Sequence, residues 1–128
     1  MNLTEYFATR GGTGIMSTAD KQGKVDAAIY ASPHIMEGGS LAMIMRERLT
    51  YKNLQENPYA VYLFLEDSPI YAGVRLFLKK TGEDDNAELI SKMTRRSLSG
   101  EEDQAKGAKH IVYFQLEKTL NLIGGEEV

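Results

Sequence analysis

Apolar positions along the chain fall into short runs separated by glycine, proline and polar clusters, a spacing that predicts strands more than long helices. Leu3 to Arg10 is the first exception. There Leu3, Tyr6 and Phe7 share a face at helical spacing, and the glycines at 11, 12 and 14 close the segment. Thr13 to Thr18 and Val25 to Ser32 read as two strands joined by the hairpin turn Asp20-Lys-Gln-Gly23. In the second strand Val25, Ala27, Ile29 and Ala31 alternate with Asp26, Ala28, Tyr30 and Ser32, so the first, apolar set is expected to face the core.

Pro33 and the pair Gly38-Gly39 bracket a short connection. The runs Leu41 to Met45 and Tyr59 to Leu65 are apolar on both faces, which predicts strands covered twice. A barrel interior supplies one cover, and a partner subunit or a ligand is expected to supply the other. Ile70 to Leu78 alternates again, with Ile70, Ala72, Val74, Leu76 and Leu78 on one side. Asp84 to Leu98 reads as a helix, with Asp84 and Asp85 at its start, Arg95 and Arg96 near its end and Gly100 beyond. After the polar loop Ser99 to Lys109, a strand from His110 to about Leu122 sets Val112, Phe114, Leu116, Leu120 and Leu122 on one side. The sum is about six strands and two or three short helices.

A length of 128 residues suits one domain, 1–128, with a real core but no room for separate cofactor and substrate domains. The absence of cysteine removes disulfides, thiolate metal sites and cysteine nucleophiles, and suits a reducing compartment. With Glu5 near the start, no signal-like run and no membrane-length apolar stretch, a cytoplasmic protein with no membrane partner is expected. A net charge of -3 and a pI near 5.4 argue against a nucleic-acid partner, so any anion site must be local.

That local site is the segment from Arg46 to Pro58, which reads as a strand end, a cap and a two-turn helix. Thr50 is the expected N-cap, with Leu49 and Leu54 spaced as a hydrophobic staple, and Asn57-Pro58 ends the helix. A helix start offers unpaired N–H groups and partial positive charge, and Arg46, Arg48 and Lys52 gather around it. Guanidinium groups bind phosphate through paired, charge-assisted hydrogen bonds. A solvated basic patch balanced by Glu47 and Glu56 is the competing explanation.

The order strand, turn, strand, then Arg48-Leu-Thr-x-x-Asn-Leu-x-x-Asn-Pro58 and another apolar strand resembles the FMN-binding split β-barrels related to pyridoxamine 5′-phosphate oxidase. The resemblance covers roughly Thr13 to Leu65. It implies a mostly β fold with short helices, a six-stranded antiparallel split β-barrel, and a homodimer with FMN in grooves at the subunit interface. The flavin-contacting strands fall on Ala28, Ile29, Tyr30 and Ala31 and on Met43 and Ile44. The phosphate turn falls on Arg48, Leu49 and Thr50, with Asn53 one helical turn later, and Arg46 adds charge.

This chain departs from the oxidase where it has Leu49-Thr50 in place of a basic pair, and it lacks tryptophan in a C-terminal region ending Leu120-Asn-Leu-Ile-Gly-Gly-Glu-Glu-Val128. Vitamin B6 oxidation is therefore not expected. Electron or hydride transfer through bound FMN is, and a carrier, a flavin reductase and an FMN-dependent oxidoreductase of a small substrate all fit, with no residue marked as catalytic. The alternative is a non-enzymatic module that holds haem or another flat ligand on the same barrel.

His34 and His110 are isolated in sequence and make neither a metal site nor a triad. Both read as surface or hydrogen-bonded histidines, although His110 is also the candidate for haem ligation. The pairs Asp84-Asp85 and Glu101-Glu102-Asp103 read as solvated charge, and the six methionines as adaptable packing. Tyr30 is expected either at the flavin plane or in interface packing.

Overall fold

The computed structural model describes residues 1–94 and 107–128. The expected helical residues from Arg95 to Leu98, Gly100 and the acidic run Glu101-Glu102-Asp103 lie outside them. Seven antiparallel strands form one sheet: β1 (Gly12–Ala19), β2 (Val25–Ile29), β3 (His34–Ile35), β4 (Leu41–Arg46), β5 (Tyr59–Glu66), β6 (Gly73–Asp84) and β7 (Lys109–Asn121). Three short helices accompany them, α1 (Leu3–Thr9), α2 (Leu49–Glu56) and α3 (Ala87–Met93). The strand beyond the expected six is β3, two residues of the Pro33 to Gly39 connection paired to β4 through His34↔Ala42 and Ile35↔Leu41. Two residues are too short to show periodicity in a sequence.

The strand order β2-β1-β5-β6-β7-β4-β3 leaves β2 and β3 as the two edges. The sheet rolls up around one interior, where Met16, Leu41, Met43, Met45, Tyr62, Phe64, Leu76, Leu78, Val112 and Phe114 pack together. One end is closed by α1, whose Asn2 side chain accepts the Glu5 N–H at 3.1 Å as N-cap. Its Tyr6 and Phe7 rings meet Phe64 edge to face, and the Tyr6 hydroxyl donates to Glu66 at 2.6 Å. No described helix is long and apolar enough to cross a membrane.

Several expected faces and boundaries differ. Val25 and Ile29, expected in the core, are 83% and 70% exposed, while Asp26, Ala28 and Tyr30 turn inward. An edge strand has two possible faces, and the register Ile15↔Ile29 to Ala19↔Val25 puts the polar-containing one against the barrel opening. β4 is covered twice as expected, but its second cover comes from the chain's own α3, where Ile90, Leu89 and Met93 pack on Ala42, Ile44 and Ile111. β5 buries Ala60, Tyr62 and Phe64, and its other face is only half-buried.

β6 starts three residues later than expected and runs on through Asp84, because β7 pairs with its polar continuation as far as Asp84↔Ile111. Ile70 and Tyr71 are left exposed in the preceding loop. α3 accordingly begins after the acidic pair, with the Asn86 side chain accepting the Leu89 N–H at 3.0 Å as N-cap.

Candidate functional site

A cavity of about 510 Å³ opens where the rolled sheet ends, between the inner side of β2 and the strand pair β3-β4. Ala28, Ile29, Tyr30, Ala31, Met43, Ile44, Arg46, Arg48, Leu49 and Thr50 all line it. The cavity therefore gathers ten expected cofactor contacts from two strands and one helix start. Asn53 is not among them. It is buried, and its amide donates to the Thr18 hydroxyl at 3.1 Å, within the packing of α2 on β1. Lys52 is exposed and lies outside the cavity wall.

The start of α2 differs from the expected cap. Arg48 is the N-cap, in extended conformation and without a side-chain cap bond, and Thr50 lies inside the first turn. Thr50, Asn53 and Leu54 form the buried helical face, three and four residues apart, so the helix must begin early enough to turn Thr50 inward. Leu49 is 53% exposed and makes no staple with buried Leu54. With no side chain capping them, the first-turn N–H groups keep the anion-binding character of an open helix start.

Arg46, Arg48 and Lys109 bring three cations to the wall, against the carboxylate of Asp26. Arg46 is braced by an Nη1–H donated to the Gly107 carbonyl at 2.9 Å, and Lys109 sits opposite Arg46 in the β4-β7 register. The Thr50 hydroxyl reaches Asp26 Oδ2 at 3.5 Å and also bonds to the Tyr30 hydroxyl. Burial pushes the Tyr30 phenol up, opposed by the Thr50 hydrogen bond and the Arg48 charge. The phenol is thus neutral at pH 7 and can donate a hydrogen bond in the cavity.

Tyr30 is held on both sides. Its N–H donates to the Gly14 carbonyl at 3.0 Å, and its carbonyl accepts from the Tyr62 hydroxyl at 3.1 Å. A methyl group at Gly14 would fall 1.8 Å from that hydroxyl oxygen, so the close approach of β1 to the Tyr62–Tyr30 bond requires glycine. Apolar residues share this wall, with small side chains at Ala28 and Ala31 and larger ones at Met43, Ile44 and Met93.

His34 also lines the cavity, whereas His110 does not. His110 is buried beside α2, its ring stacked on Tyr51 with centroids 4.4 Å apart. Both ring nitrogens meet carboxylates, Nε2 with Glu47 at 2.8 Å and Nδ1 with Asp85. Asp85 is thus not mere solvated charge. Glu83 joins the group by accepting from the Tyr51 hydroxyl, Gln55 and Lys80. Burial would raise Glu83, but those three donors overcome it and hold the carboxyl down at about 2. The donor atoms of Glu83, Asp85 and His110 lie within 4.8 Å of one another, and the hydrogen bonds just described already engage all three.

Sequence reading passed over Asp26, His34, Met93, Thr94 and Lys109 as parts of this wall. Asp26 was findable, since it shares the strand face of Ala28 and Tyr30. Lys109 needs the β4-β7 register, and Met93 and Thr94 need the fold.

Solved structures of the same shape carry the comparison further than sequence does. An FMN-binding protein from Syntrophomonas wolfei superposes with a TM-score of 0.73 at 16% identity, covering 92% of this chain and 82% of that one. An F420 reductase gives 0.70 at 13% identity, over 91% and 94% of the two chains. The haem storage protein HutZ from Vibrio cholerae gives 0.69 at 16% identity, over 92% and 90%. The fold is the split β-barrel of the pyridoxamine 5′-phosphate oxidase-like proteins. Within that split barrel, the cavity lies at the open seam. No protein-family model matches the sequence, and no curated protein matches it significantly.

Proposed function

We propose that the protein is an FMN-binding flavoprotein. The observation that carries this reading is a cavity wall that brings an uncapped helix start and two arginines together with a strand of small residues and apolar side chains. A flavin mononucleotide asks for both, an anion site for its phosphate monoester and an apolar surface for its flat ring. Arg46, Arg48, the α2 N–H groups and the Tyr30 hydroxyl would take the phosphate, with Ala28 to Ala31 and Met43-Ile44 against the ring. Bound FMN would supply electron or hydride transfer, and the chain's part is to bind, orient and exclude water. The likeness to a solved FMN-binding protein of the same fold supports the choice of ligand.

The same reading places a second copy of the chain over the seam. Val25 on the outward face of β2, with Ile29 and Leu49 exposed at the rim of the cavity, forms an apolar surface of the kind a homodimer covers.

A haem-binding reading has two observations in its favour: His34 lines the cavity, and HutZ shares the fold. His110 is poorly suited to ligate haem, since both its nitrogens are engaged.

The deciding experiment is the visible spectrum of the purified protein, with the released chromophore identified by mass, followed by titration with FMN and with haem. A flavin spectrum or saturable FMN binding is expected. A Soret band with no FMN uptake would favour the second reading, and a colourless protein that takes up no added FMN would overturn the first.

A further inference from the structure

Glu47 stands between the two arginines of the cradle, yet Arg46 and Arg48 line the cavity and Glu47 does not. Its carboxylate is instead taken by His110 Nε2 at 2.8 Å, while Nδ1 meets Asp85 at the end of β6. A neutral imidazole carries one N–H and can donate to only one of these carboxylates. An imidazolium donates to both. Tyr51 packs flat on the ring from α2, Glu83 approaches from β6 with Lys80 as its own counter-charge, and Lys109 is the neighbouring residue on β7. The histidine thus faces an excess of negative charge.

We propose that His110 is a positioning residue for the anion cradle: its imidazolium ties Glu47 to Asp85 and so keeps the Glu47 carboxylate from neutralising Arg46 and Arg48. The inference rests on the FMN-binding reading above and names how that site is regulated. When the ring loses a proton it can hold only one carboxylate. Glu47 has an arginine of the cradle on either side of it in the chain, so it is the carboxylate that is released. Its side chain is 59% exposed and one residue from either arginine, so it then competes with a phosphate for them.

The direction with pH follows. Burial lowers the His110 pKa, but the Asp85 and Glu47 carboxylates outweigh that and raise it above the ordinary 6.5. The bridge is therefore complete below about pH 6.5 and is lost as pH rises through the raised value. Affinity for a phosphate-bearing ligand is highest while the bridge holds.

The test is a set of FMN titrations, read by flavin fluorescence between about pH 7 and 9, where a phosphate monoester is already largely dianionic. Riboflavin, which lacks the phosphate, serves as comparison. Wild-type affinity for FMN is expected to fall about two- to fivefold across this range, the scale of one exposed ion pair. His110→Gln is expected to bind at the weaker level throughout, and Glu47→Gln at the stronger level throughout. Riboflavin affinity stays flat in all three. A falling profile in His110→Gln that matches the wild type would overturn the coupling while leaving FMN binding intact, as would the same fall in Glu47→Gln. Wild-type protein that binds FMN at no pH would overturn the functional reading and the coupling with it.

Discussion

The Asn53 amide donates to the Thr18 hydroxyl across 3.1 Å, with both side chains buried where α2 lies on β1. Asn53 therefore acts as an internal fastener of the helix that carries the anion cradle and makes no contact with the cavity. Asn53→Ala is expected to cost about 1–3 kcal/mol of stability by stranding a buried hydroxyl and leaving space. Chemical denaturation checks this. FMN affinity, measured where the variant is fully folded, should stay within about twofold of wild type.

Arg48 stands at the N-cap and lines the cavity, so Arg48→Ala should weaken FMN binding by about 1.5–3 kcal/mol through lost charge-assisted bonds. Riboflavin affinity should change far less. Equal losses for the two ligands in calorimetric titration would move the phosphate elsewhere.

Gly14→Ala should destabilise the fold by about 1–3 kcal/mol, because the added methyl collides with the Tyr62 hydroxyl and the Tyr30 carbonyl. Adding Tyr62→Phe in the same chain should recover only part of that loss, since it removes the nearest atom but leaves the ring carbon at 2.3 Å and the Tyr30 carbonyl at 2.6 Å. A thermal-unfolding cycle of the two substitutions measures the coupling.

Acid should loosen the hinge between α2 and β6. The Glu83 carboxyl is held at about 2 against an ordinary 4.5, so its contribution is fully present above pH 4.5 and is lost as pH falls toward 2. His110 acts in the opposite sense, stabilising below about 6.5 and losing its contribution as pH rises beyond. Stability measured against pH should show a shoulder above neutrality that disappears in His110→Gln and an acid limb that flattens in Glu83→Gln.

The variant Val25→Glu places a charge on the outward face of β2, away from the cavity wall. If a second copy covers that face, light scattering should show the wild type as a dimer and the variant as a monomer with unchanged circular dichroism. A monomeric wild type would remove the interface.

The barrel was legible because strand alternation and the Arg48 to Pro58 pattern are local signals, and the family resemblance those segments carry names eleven contacts, of which ten line one cavity. What escaped was decided by tertiary alternatives of nearly equal local merit. The face of β2 turned on its edge position, since a strand of valine, alanine and isoleucine alternating with aspartate, alanine and tyrosine gives no local reason to expose the former. Thr50 is a good N-cap by type, but the burial of Leu54 and Asn53 moved the helix start two residues earlier. The Glu47–His110–Asp85 bridge joins residues 63 and 25 positions apart, beyond any spacing rule.

The strand order ends at β2 on one side and β3 on the other, and the described pairings include no ladder between them. Opening or narrowing the seam therefore breaks no backbone hydrogen bond between strands, and its stiffness comes from the Gly14–Tyr30–Tyr62 anchor at one rim and the packing of α3 on β4 at the other. Such a cavity behaves as a spring-loaded clip more than as a rigid mould, with its grip set by a few side chains and open to tuning by single substitutions at either rim.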